Sequence, residues 1–324
     1  MSVAASVLLL AVITSITCAI PGVFLVVRHQ SMFADAMSHG MLPGIVLAAW
    51  AVGSIDSPLL IIGAALMGMV IVFTSEGLRH TGLVNADATI GVFFPALFSL
   101  GVVMLSTIFS KIDLHEDAVL EGDLNIASIN HLVVNGIDYG PTYFWIMLAV
   151  LIFDILGISL LWRPLIAATF DPQLAKIQGY PVRAINYTLM FIVSITITAA
   201  FKMAGAVLVV ALLIVPAATA RLITKRMAPM LAVTIVVSLI VAFFGFVISY
   251  QFDLATSAMM ATVDGLVFLG VFGGTQLLWR RRRKRSKITD RTRAFEQVDE
   301  QIVASRRWVR RQELVLSHEP ILQG

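Results

Sequence analysis

The stretch Pro229 to Tyr250, PMLAVTIVVSLIVAFFGFVISY, holds 22 residues without one charged side chain. A helix of that length covers roughly 30 Å of hydrocarbon, which is what a bilayer core requires. Before it in the chain lie further runs of at least 18 uncharged residues, and after it an apolar stretch broken only by Asp264. The whole chain of 324 residues is 58% hydrophobic and 13% charged, with a mean hydropathy of +0.90. A soluble domain carries about 25% charged residues. The fold expected is therefore all-α: a polytopic membrane protein with about nine transmembrane helices. They are placed at 4–27, 33–53, 58–78, 88–109, 142–162, 186–201, 204–222, 229–250 and 257–279. Val7 to Ile20 lacks a basic lead and a small-residue cleavage pattern, so it reads as the first spanning helix and not as a secretory signal.

Charge places the ends. Of the 23 Lys and Arg, 13 fall from Arg280 onward. Before that point the connections at Arg28, Arg79, Arg163 to Arg183 and Arg221 to Arg226 fall on the side of the basic tail. The positive-inside rule makes that side cytoplasmic. The chain then divides into a transmembrane domain, 1–279, and a basic cytoplasmic tail, 280–324. Within the tail an amphipathic helix is expected at about 289–313. Its Arg280 to Arg285 cluster fits anionic lipid headgroups, with no nucleic acid expected as a partner. The opposite side is acidic, carrying Asp56, Asp113, Glu116, Asp117, Glu121, Asp123, Asp138 and Asp253. Such a surface concentrates cations at a mouth, although external loops are commonly acidic simply because they are solvated.

One apolar stretch breaks the pattern. Ala34-Asp35-Ala36-Met37-Ser38-His39-Gly40-Met41-Leu42-Pro43-Gly44 puts a carboxylate and an imidazole four residues apart, on one face of a helix. Such groups cost roughly 2.5–3.5 kcal/mol for a charge at the bilayer centre, so they mark an ion or substrate path. Asp and His are also ligands for a divalent first-row metal. Two ligands do not fill a metal's shell, so another helix, water or a second copy must contribute. His39 must be neutral to ligate, which makes transport weaken on acidification. The competing reading is a polar pair that fastens two helices. Met37 and Met41 repeat the spacing and read as packing before soft-metal ligation. Pro43, Pro95 and Pro216 fall inside predicted helices and break their hydrogen bonding. Broken helices are not viable against lipid, so these sites should face protein or water. Asp154 and Asp264 are further acids in apolar runs, able to line a path or to bond a neighbouring Ser or Thr.

The sequence argues against an enzyme. No phosphate-binding Gly-x-x-x-x-Gly-Lys-Ser/Thr loop occurs, nor Gly-x-Ser-x-Gly, His-Glu-x-x-His or Cys-x-x-Cys. Cys18 is the only cysteine, which excludes an internal disulfide.

The segment from Val26-Val27-Arg28 to Gly44 closely resembles the signature of the metal-ion permeases of ATP-binding-cassette importers, the manganese/zinc/iron group. Asp35, Ala36, Ser38, His39, Leu42, Pro43 and Gly44 match it as they stand; Met37, Gly40 and the Arg28-His29 pair depart from it. Three further stretches agree in order: Val84 to Gly91, Phe170-Asp171-Pro172-Gln173-Leu174-Ala175-Lys176-Ile177-Gln178-Gly179, and Gly205 to Arg221. The resemblance covers about residues 5–279. It implies a type II importer-like permease in the multi-pass bacterial cell membrane, forming the path for a transported ion, Mn²⁺ first, then Fe²⁺ or Zn²⁺, with no resident cofactor. Asp35 and His39 would be metal ligands. Asp171, Ala175 and Gly179 would mark a cytoplasmic helix that couples to a separate ATPase. His115 and Asp117, in a loop that departs from the family's pattern, are candidates for external metal entry. The partners implied are ATP-binding-cassette ATPase subunits, a second permease subunit forming a homodimer or heterodimer, and an extracellular or periplasmic metal-binding protein. The rivals are a secondary divalent-metal carrier driven by an ion gradient and a non-transporting membrane scaffold.

Overall fold

The computed structural model describes residues 3–53, 59–80, 86–108, 122–134 and 137–277. Its helices are α1 (Val3–Val27), α2 (Ser31–Gly40), α3 (Leu42–Val52), α4 (Leu59–His80), α5 (Ala86–Ile108) and the single-turn α6 (Leu124–Ala127). After strands β1 (His131–Val134) and β2 (Ile137–Pro141) come α7 (Thr142–Leu160), α8 (Trp162–Phe170), α9 (Pro172–Ile177) and α10 (Val182–Ala204). The chain continues through α11 (Ala206–Ile223), α12 (Met227–Phe252) and α13 (Thr256–Leu277). Among the described residues seven segments are long and apolar enough to cross a membrane: α1, α2 with α3, α7, α10, α11, α12 and α13. α4 and α5 carry shorter apolar stretches, Leu59–Ser75 and Gly91–Thr107, in the two places that complete the expected nine.

Residues Met1–Val271 form one compact unit and Phe272–Gly324 another. Of the second, residues 272–277 at the end of α13 are described; the basic cluster and the expected 289–313 helix lie outside the described residues.

The segment expected as one helix at 33–53 is two. Pro43 lacks an N–H, so α2 ends at Gly40 and α3 restarts at Leu42 with the proline in its first turn. α1 runs through the middle of the first unit, its residues from Leu10 to Val26 largely buried, with α7, α10, α11 and α12 packed around it. α2 lies between α10 and α11 on one side and α5 on the other, α3 packs on α4 and α5, and α4 also packs directly on α10. Where α3 crosses α4, a Cβ on Gly44 would meet the Gly63 carbonyl and stand 2.6 Å from Met67 Cβ, while one on Gly63 would stand 2.5 Å from Ala48 Cβ. The two backbones touch only because neither residue has a side chain, the usual basis of close helix approach in membranes.

A two-stranded antiparallel hairpin, β1 with β2, was not anticipated in the loop before α7. It is held by Asp138, which faces His131 Nδ1 at 2.8–2.9 Å and accepts from the Gly140 N–H at 2.9 Å. At one end of the molecule Arg28 meets Thr169 and Asn186. At the other, Thr256 Oγ1 donates to Asn125 Oδ1 at 2.9 Å, and Gly122 backs closely onto Gly205.

Candidate metal site and coupling segment

Asp35 and His39 lie on consecutive turns of α2, with His39 Nε2 3.9 Å from Asp35 Oδ1. That gap is too long for a hydrogen bond. It is within reach of a shared cation, since two donors each about 2.1 Å from a metal stand no more than about 4.2 Å apart. Around them α2 is sealed: Phe33, Ala34, Ala36, Met37, Ser38 and Gly40 are buried. The pair is not, with side chains 56% and 31% exposed respectively. α2 therefore turns its apolar side to the bundle and presents the two metal-binding types on its open side.

α5 walls that side. The His39 ring lies 5.7 Å from the Phe94 ring and 5.9 Å, edge-on, from the Phe98 ring. The two phenylalanines are one turn apart and lean on the same imidazole, which limits its rotation. Sequence reading missed them; their four-residue spacing was the available signal, but nothing local tied it to His39. Pro95, between them, leaves α5 one backbone bond short, and the Ser99 hydroxyl turns back onto the Pro95 carbonyl. Pro95 and Ser99 are exposed on the single chain. Among the described residues no group of three or more His, Cys, Asp or Glu converges on one point, so within one chain the pair has no third such ligand.

The other candidates separate cleanly. Met37 and Met41 are buried, and Thr198 Oγ1 contacts the Met41 sulfur at 3.6 Å, so both thioethers belong to the packing under α2. Asp154 is buried on α7, accepting from Thr196 Oγ1 of α10 at 2.9 Å, which makes it an interhelical tie. Asp264 is buried on α13 with neither oxygen hydrogen-bonded among the described residues. His115 and Asp117 lie outside the described residues.

The segment expected on the cytoplasmic side folds as its sequence dictates. Asp171 Oδ1 accepts from the N–H groups of Gln173 and Leu174, Pro172 occupies the first turn, and α9 begins there. It ends in a Schellman motif: Tyr180 N–H donates to Ala175 O and Gly179 N–H to Lys176 O, with Gly179 at φ +82°. Ala175 is wholly buried against the bundle, whereas Leu174 is 49% and Ile177 83% exposed. Any partner at this segment thus meets Leu174 and Ile177, while Asp171 and Gly179 set its ends and Ala175 seats it.

The ABC 3 transport family matches residues 1–274. The chain is 37% identical over 272 residues to the manganese transport system membrane protein MntD of Bacillus subtilis, covering 84% of this chain and 92% of that protein. It is 37% identical over 266 residues to the zinc transport system membrane protein TroD of Treponema pallidum, covering 82% of this chain and 72% of that one. Among solved structures it is similar to PsaBC from Streptococcus pneumoniae in complex with Fab, with a TM-score of 0.68 and 26% identity over 82% of this chain and 90% of that one. Helices, ends and site define a transport permease of the bacterial plasma membrane, crossing it several times. The chain belongs to the ABC 3 transport family.

Proposed function

We propose that this permease is the membrane-spanning subunit of an ATP-driven importer of divalent transition-metal ions, manganese first and iron or zinc after it. The observation that carries the reading is the placement of Asp35 and His39: a carboxylate and an imidazole, one turn apart, on the open side of a helix whose residues between and beside them are buried. Oxygen and nitrogen donors suit manganese, iron and zinc alike, and relatives named for manganese and for zinc are equally similar to this chain.

The open side belongs against a second permease subunit. A charged group facing lipid there costs roughly 2.5–3.5 kcal/mol, and a proline-broken helix beside it leaves backbone groups without partners. A second chain brought to the α2–α5 face covers Pro95 and supplies the ligands that one pair lacks. Leu174 and Ile177, apolar and exposed on a capped helix at the basic end, fit the cleft of a cytoplasmic ATPase. An external metal-binding protein delivers the ion to the acidic side.

Purified permease in liposomes tests this against the gradient-driven carrier. Metal uptake should require ATP, the ATPase and the binding protein together. Uptake by the permease alone, driven by an imposed proton or sodium gradient, would establish the carrier instead.

A further inference from the structure

The helix proposed to meet the ATPase and the helix that holds the metal pair are far apart in sequence, and one residue touches the surroundings of both. α1 ends in a Schellman motif of its own, with Gln30 N–H donating to Leu25 O and His29 N–H to Val26 O. The left-handed position is filled by His29, at φ +56°, where glycine is usual. Three residues on from Arg28, α2 starts at Ser31, and Asp35 follows one turn later. Arg221, at the end of α11, fastens this corner: its Nη1 donates to Val26 O at 2.7 Å and its Nη2 stands 3.3 Å from His29 Nε2.

Arg28 reaches the other way. Its Nε donates to Thr169 Oγ1 at 2.9 Å and its Nη1 to Asn186 Oδ1 at 2.8 Å. Thr169 is two residues before the Asp171 cap that begins α9, and Asn186 is in the first turns of α10, just after α9 ends. One guanidinium therefore grips the elements on both sides of α9. It is largely buried, and burial pushes its pKa down to about 10, still leaving it charged at neutral pH. A planar fork with fixed donor directions transmits displacement where a flexible ammonium does not. We infer that Arg28 is a positioning residue that carries movement of α9 to the corner where α2 begins, and so sets the exposure of the Asp35–His39 pair. The inference rests on the coupling role proposed above for α9.

The test uses the permease assembled with its ATPase and binding protein in liposomes, reading metal ions moved per ATP hydrolysed. Thr169→Val with Asn186→Ala removes both acceptors while keeping Arg28. It should lower that ratio at least about fivefold, the low end of coupling between sites, with the ATPase still bound and still hydrolysing ATP. Asn186→Asp keeps an acceptor oxygen and should stay within about twofold of the unaltered protein by the same measure. A ratio unchanged in the double variant overturns the inference. So does a parallel fall of transport and hydrolysis in step with the amount of folded protein, which is what a purely structural role gives. Ile177→Asp tests the underlying reading separately: release of the ATPase supports it, and an ATPase that stays bound removes both the coupling role of α9 and the inference built on it.

Discussion

At the scale of single residues, exposure distinguishes Asp35 and His39 from the buried acids. Asp154 has a hydroxyl partner and fastens α7 to α10, so its loss should be felt in folding. Asp35 is largely exposed, and His39 makes its ring contacts with Phe94 and Phe98. Asp35→Ala and His39→Ala should each lower metal accumulation at least about tenfold, because even residues one step removed from a metal cost 10–100-fold when lost. Cellular metal content measured at matched membrane levels of the protein checks this. The hairpin offers a pH prediction. The Gly140 amide, and after it the facing His131, hold the Asp138 carboxyl below the ordinary carboxylate range. Stability from these contacts is complete above that range and is lost as pH falls through the lowered value, when the carboxylate takes up a proton. Amide exchange across residues 131–141 should quicken on the acid side, and Asp138→Asn should remove the change.

Between elements, the decisive contact is the glycine crossing of α3 with α4. Gly44→Val places carbon where the Gly63 carbonyl and Met67 already are. Neither helix yields without disturbing α2, which ends only three residues before α3's proline. Overpacking of this kind costs about 1–3 kcal/mol, so the unfolding midpoint in detergent should fall, with part of the protein lost from the membrane. The break between α2 and α3 and the crossing beside it belong together. Pro43 frees the corner, and the glycines let α3 approach α4 closely while α2 keeps Asp35 and His39 outward.

For the whole molecule, the open α2–α5 face is the feature that a single chain leaves unfinished. Ser99 is exposed on it beside Pro95, and Cys18, the only cysteine, is buried. Ser99→Cys should therefore form a disulfide or a short bis-maleimide link to the neighbouring permease in native membranes, without background from Cys18. The link needs a thiol on each partner, so a band at twice the chain's mass identifies two identical subunits. Monomer alone at every linker length would remove the arrangement of two identical subunits across this face.

Hydropathy alone determined that the chain spans a membrane several times, because apolar length is a local property that bilayer thickness converts directly into helices. The Asp35–His39 spacing and the Asp171-to-Gly179 caps were also legible, since helical periodicity and capping act within a few residues. Burial was not legible. Ala175 faces inward and Ile177 outward because neighbours distant in sequence decide which side of each short helix is covered. The clasp of Phe94 and Phe98 on His39 and the grip of Arg28 on Thr169 and Asn186 likewise join residues far apart along the chain. Only the packing of α1, α2, α5, α8 and α10 brings them together.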